Sequence, residues 1–163
     1  MEPLFRGTPW PNMPFEIATS IDIDASPARV WEVLTDFDRY PGWNPTIRQL
    51  DVRADGSRAG GEVGAKAGSK VFVRLNLGFP VAVMARIDRF EPERMLSWAG
   101  GVSPVFTAHH WFELEPLGEG TRLHHHERFG GVGASVIRWT LQERIERAYQ
   151  RLNVALRARA TAP

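Results

Sequence analysis

The sequence predicts an α+β domain: a curved antiparallel sheet wrapped around a long C-terminal helix, with two short helices after the first strand. Three observations predict it. From Glu16 onward apolar and polar residues alternate strictly; from Ile47 to Phe129 short β-forming runs are punctuated by glycine, proline and acidic turns; after Gly130-Gly131 apolar residues recur every three or four positions.

Residues 1–15 hold four prolines and no apolar period, so they are expected to form an extended arm, with Trp10 and Phe15 pinning it to the surface. The folded domain is expected over 16–160. In the first strand Ile17, Thr19, Ile21 and Ile23 share one face and Ala18, Ser20, Asp22 and Asp24 the other. Ser26 followed by Pro27 is a helix-start signal, a hydroxyl for the free amides and a ring already set at the helical φ, and it launches a helix through Val30, Trp31, Val33 and Leu34. The stretch from Asp36 to Pro45 contains Pro41, Gly42 and Pro45, which allow a second short helix and then a turn.

Seven further strands are expected at roughly 47–54, 61–67, 70–78, 81–90, 94–99, 106–115 and 121–129. The connections are too short for parallel crossovers, so the sheet is antiparallel. A bulge at Gly68 would join the 61–67 and 70–78 pieces into one bent strand. In the last segment Ala134, Ile137, Leu141, Ile145, Ala148, Leu152 and Ala155 or Leu156 form one stripe of a helix of about 25 residues, about 37 Å long. Lying in the curve of the sheet without filling it, such a helix leaves a pocket.

Composition narrows the function. The 163 residues suffice for a full core. The absence of cysteine excludes disulfide frameworks, thiol nucleophiles and cysteine-held metals, and points to the cytoplasm. No apolar run approaches a membrane span, and the acidic, proline-containing N-terminus does not resemble a signal peptide. The net charge is +1 with both signs interspersed, so nucleic acid is not an expected partner. A homodimer through the first short helix and the edge strand stays open.

Three stretches carry a family resemblance: Ile21 to Pro45, with its Ala-Ser-Pro-Ala-Arg-Val-Trp and Tyr-Pro-Gly-Trp-Asn-Pro runs; Phe112-Glu-Leu-Glu-Pro116 with Gly120-Thr-Arg-Leu123; and Glu127-Arg-Phe-Gly-Gly131. Together with the element order they resemble the helix-grip fold of the START-like or SRPBCC superfamily, in its polyketide cyclase/dehydrase and lipid-transport branch, over residues 16 to about 158. The resemblance implies an apolar cavity between sheet and helix that holds a lipid, polyketide or aromatic molecule. It does not imply a single reaction. The Rieske oxygenase relatives bind iron through helical histidine and carboxylate spacings absent here, and the glycine-rich run 56–64 lacks a phosphate-binding pattern, so neither metal nor nucleotide is expected.

All five histidines fall in the last two expected strands. A hairpin turn over 117–120 would pair Glu115 with Arg122, Phe112 with His125 and His110 with Glu127. His110, His125 and Glu127 then point toward the helix, while His109, Trp111, Glu113, His124, His126 and Arg128 point outward. An inward His110–Glu127 pair is a candidate acid and base for aldol-type cyclisation or dehydration without a cofactor, with His125 beside it. The same groups serve equally as a self-satisfied buried pair or as an anchor for a ligand's head group. The cavity walls are expected to come from Trp98, Phe112, Leu114 and Phe129 on the sheet and Ile137, Leu141 and Ile145 on the helix. Trp43 either closes one end of the grip or packs the short helices. Outward His109 and His126 are diagonal neighbours, too few for a metal site. The expected function is therefore binding of a hydrophobic small molecule. The alternatives are a cofactor-independent cyclase or dehydratase and a co-chaperone-like interaction module.

Overall fold

The computed structural model describes residues 15–54, 57–58 and 64–163. Residues 1–14 of the expected arm, and most of the glycine-rich run, lie outside the described residues.

The chain order is β1 (Phe15–Ile23), α1 (Pro27–Thr35), a 3-10 turn (Phe37–Arg39), α2 (Tyr40–Trp43), β2 (Ile47–Ala54), β3 (Ser57–Arg58), β4 (Lys70–Asn76), β5 (Pro80–Glu91), β6 (Met95–Val102), β7 (Phe106–Leu117), β8 (Gly120–Gly130) and α3 (Ala134–Thr161). The strands form one antiparallel sheet in the order β1-β8-β7-β6-β5-β4-β2-β3. Phe15 already belongs to β1 and stacks on Phe129, their centroids 4.8 Å apart.

Local chemistry accounts for the elements. The Ser26 hydroxyl accepts from Arg29 N at 3.3 Å, with Pro27 in the first helical turn, as the start signal predicts. In the Trp-Asn-Pro turn the Asn44 carboxamide oxygen accepts from Thr46 N at 2.8 Å and Ile47 N at 3.0 Å, which orients the chain into β2. Trp43 packs against Tyr40, centroids 4.7 Å apart, and so joins the short helices to the main core. Gly100 and Gly101 near the end of β6 allow a close approach: a Cβ on Gly100 would lie 2.3 Å from Met84 O, and Gly101 has φ +114°.

The expected strand at 61–67 needs correction where it is described. Residues 64–69 form a turn closed by Ser69 N donating to Lys66 O at 3.0 Å. Gly68 takes φ +91°, a left-handed conformation that ends extended pairing, so it is a turn residue and not a bulge. The turn is held on β5 by Gly68 N to Ile87 O at 2.7 Å and Ile87 N to Ser69 O at 2.9 Å.

The 28 residues of α3 span about 42 Å. Its C-terminal half is packed, with Leu152, Leu156 and Ala160 joined to Ile23, Val30 and Leu34 in the main core. Its N-terminal half is only partly covered, Ile137 and Leu141 being half-buried against a smaller cluster around Ile17, Phe129 and Ile145. The helix lies directly on β1 and β8, while the β4–β5 side of the sheet stands away from it. That difference leaves the space in which the site lies.

Candidate functional site

Between α3 and the concave face lies a cavity of about 440 Å³. Val73, Leu75 and Val83 form one wall, Trp98, Phe112 and Phe129 the floor, and Ile137, Leu141 and Ile145 the helix side. This is the size range of small-molecule sites, which are mostly apolar with a few placed polar groups. Here the main polar groups are His110, Glu127 and Tyr149. A separate cleft beside Arg29, Asp36 and Arg159 is about 30 Å³, room for about one water.

The strand register brings the candidate polar residues together. β7 and β8 pair His110 with Glu127, Phe112 with His125 and Glu115 with Arg122. His110 and Glu127 both reach the cavity. His125 does not: it is fully buried beneath Tyr149, whose ring stacks on it at 4.1 Å. Leu114 also departs from the expectation for a wall residue. It shares their face, but two positions beyond Phe112 β7 runs beneath α1, and Leu114 is packed in the main core.

Tyr149 was not among the residues singled out from the sequence, and it organises the site. Its hydroxyl hydrogen-bonds Glu127 Oε2 and lies 3.3 Å from His110 Nδ1. His110 Nδ1 is 3.9 Å from Glu127 Oε1, so the two meet chiefly through the tyrosine. The His110 ring is clamped flat on Trp98, centroids 4.7 Å apart and planes within 3°. Its Nε2 has no hydrogen-bond partner among the described residues. A sequence signal existed: Leu141, Ile145, Tyr149 and Asn153 are spaced by four, which places the last two on the inward side of the helix.

Burial sets the protonation states. It pushes the Glu127 carboxyl up to about 8. The His110 imidazole is held well below its usual value by burial, then by neighbouring His125. His125 is lowered to about 3 by burial, against the opposing effect of its bond to Asn153. The interior therefore favours neutral forms of all three near neutral pH.

His125 is fixed in one tautomer. Asn153 Nδ2 donates to Thr19 Oγ1 at 2.9 Å, and that hydroxyl donates to His125 O at 3.3 Å. The amide is thereby oriented with Oδ1 toward His125 Nδ1, 2.8 Å away. An amide oxygen only accepts, so Nδ1 carries the proton.

The outer-face histidines have carboxylate partners instead. His109 Nε2 is 2.9 Å from Asp88 Oδ2, His124 Nε2 2.8 Å from Glu115 Oε2, and His126 Nδ1 2.7 Å from Glu16 Oε1. Trp111 also faces outward, yet it is only 2% exposed, with His126 stacked on its ring at 4.8 Å and Arg128 over it at 5.1 Å. Burial raises Glu16 and Asp88, but hydrogen bonds from His126 and Arg128 to the first, and from His109 and Ser97 to the second, outweigh it and hold both below their ordinary values. Among the described residues no group of three or more histidine or acidic side chains is placed to hold a metal. No described helix is long and apolar enough to cross a membrane.

Comparison with known proteins agrees with this geometry. A family model described as polyketide cyclase / dehydrase and lipid transport matches residues 14–161. Among solved structures, the chain is similar to the Zhui aromatase/cyclase from Streptomyces sp. R1128, with a TM-score of 0.70, 19% identity and coverage of 90% of this chain and 93% of that one. It is also similar to a START superfamily protein from Mycobacterium smegmatis, at 0.67, 17%, 89% and 96%. A third match is a protein from Thermus thermophilus, at 0.70, 16%, 90% and 97%. These identities establish a shared fold. No curated protein matches the sequence.

Proposed function

The chain belongs to the polyketide cyclase / dehydrase and lipid transport family, and from that premise we propose that it binds a hydrophobic small molecule in the cavity between sheet and α3. The observation that carries this reading is the cavity itself, an apolar space of about 440 Å³ whose polar groups are gathered at His110, Glu127 and Tyr149. An occupant that is apolar along most of its length, with one oxygen at that end, satisfies both parts of the lining. A lipid, a polyketide or a fused aromatic molecule has this character.

A second reading, a cofactor-independent cyclase or dehydratase, draws on one specific feature. Burial raises Glu127 to about 8, so a proton donor and an unprotonated imidazole coexist near neutral pH, the pair that aldol-type cyclisation and loss of water require. Carriage and chemistry use the same pocket.

Native mass spectrometry of protein purified from its own host tests the binding reading. The expected result is one hydrophobic adduct per chain, absent from a variant in which Leu141→Trp fills the cavity. A mass of the bare chain across several growth conditions counts against it.

A further inference from the structure

We infer that one end of the molecule, formed by the β6–β7 turn, the β8–α3 turn and the start of α3, docks on an anionic lipid bilayer.

The topology gathers the apolar groups there. Because neighbouring strands run antiparallel, the β4–β5, β6–β7 and β8–α3 turns all lie at one end of the sheet. The last two are joined: Val132 N donates to Pro104 O at 3.1 Å and Gly133 N to Val105 O at 2.8 Å. On this joined surface Val102, Val105, Val132, Val136 and Trp139 are exposed, Val132 by 76% and Trp139 by 88%, and Phe79 is exposed on the β4–β5 turn. Ile137 and Leu141 line the cavity, so Val136 and Trp139, three positions apart, share the face of α3 turned away from it. None of these side chains serves the core. An apolar cluster left in water marks a place of association.

Charge says what covers it. Residues 76–80, 102–105 and 130–142 contain no Asp or Glu. Arg138 is exposed beside Trp139, and Arg144 reaches the β4–β5 turn through its bond to Leu77 O. Glu16, near the start of β1, is held by His126 and Arg128. The opposite end of the sheet carries Asp24, Glu91, Glu93 and Glu119. The apolar end is thus the cationic one, which an anionic surface complements.

A bilayer suits this surface better than a protein does. The side chains project from turns and a helix start, and a folded partner has to match that relief, whereas acyl chains close around it. Tryptophan beside arginine is also the composition of a membrane–water boundary, with the ring at headgroup depth and the guanidinium on phosphates. The cavity lining continues onto this end: Val102 and Phe106 pair across the strands and both line the cavity, yet Val102 is 71% exposed. On the reading of the cavity given above, docking sets its lining against the source of a hydrophobic ligand. No described helix is long and apolar enough to cross the membrane, so the contact is peripheral.

Co-sedimentation of the full chain with vesicles of phosphatidylglycerol and phosphatidylcholine in equal parts tests the docking. Saturable binding is expected, weaker on phosphatidylcholine alone and weakened by salt. Trp139→Ser should reduce affinity about tenfold, the scale of one large apolar side chain. Arg138→Glu should weaken binding to the mixed vesicles and leave binding to phosphatidylcholine unchanged. Leu117→Ser, which removes an exposed apolar side chain at the opposite end, should change neither. All three positions are exposed, so unfolding midpoints should stay the same. Absence of binding to the mixed vesicles overturns the proposal, as does equal binding by Trp139→Ser or an equal loss in Leu117→Ser. A dimer in lipid-free solution that Trp139→Ser dissolves assigns the face to a second copy of the chain and overturns the bilayer. Binding of N-phenyl-1-naphthylamine without vesicles reads the cavity by itself and should be unchanged in Trp139→Ser, so failure of docking and failure of the cavity reading are seen separately.

Discussion

The indole of Trp98 lies flat on the imidazole of His110, with ring centroids 4.7 Å apart and planes within 3°. The pair joins the apolar and polar parts of the cavity, since Trp98 is part of the apolar floor and His110 belongs to the polar end. Trp98 is the only tryptophan among the described residues lining the cavity. Contact quenching of tryptophan emission by a brominated fatty acid bound in the cavity should therefore fall markedly in Trp98→Phe, while directly excited N-phenyl-1-naphthylamine still reports binding. Fluorescence spectra of the two proteins at equal occupancy check this.

Two buried groups act in opposite senses over overlapping windows, so stability should fall as pH rises above about 6.5 and as pH falls below about 4.5, and stay nearly level between. Folding raises Glu127 from 4.5 to about 8, so the folded state binds more protons between those values and stability drops as pH rises through that window. Folding lowers His125 from 6.5 to about 3, so stability drops as pH falls from 6.5 toward 3. Each group contributes up to about 1.4 kcal/mol per pH unit within its window. Urea unfolding across pH should show both limbs, and Glu127→Gln should remove the alkaline limb while leaving the acid one.

Asn153→Ala removes the acceptor for the buried His125 N–H and the donor to Thr19. A lost partner for a buried polar group costs about 1–3 kcal/mol. Denaturant unfolding near neutral pH should register that loss. Thr19→Val, which keeps the His125–Asn153 bond, should cost less.

The fold was legible from short-range pattern. Alternation marked the strands, the Ser26-Pro27 signal marked α1, and spacings of three and four marked α3. The hairpin register could be set because β7 and β8 each carry core residues at every second position, so a slip would bury Arg122 and Arg128. What the pattern could not provide was depth. Leu114 and Phe112 lie on one face and look equivalent in sequence, yet only Phe112 meets the cavity, because α1 covers the end of β7. Tyr149 was passed over because an apolar-stripe reading selects Ala148 and Leu152 and treats a half-polar ring as a flank. Its role depends on a contact between α3 and β8, which no local spacing encodes.

Beside the cavity Arg144 on α3 donates from Nη1 at 3.1 Å to the carbonyl of Leu77, a lining residue in the β4–β5 turn. The contact is exposed and its loss should change stability by less than about 1 kcal/mol. It nevertheless ties the partly covered half of α3 to the opposite wall. Arg144→Ala should therefore speed release of N-phenyl-1-naphthylamine several-fold in stopped-flow dilution, with little change in the unfolding midpoint.

Binding in the cavity can be measured by equilibrium titration with N-phenyl-1-naphthylamine. The unsubstituted protein should give saturable one-to-one binding, and Leu141→Trp, folded but with the space filled, should give none. A linear, unsaturable response, or equal binding by the filled variant, would show that the cavity is not a binding site.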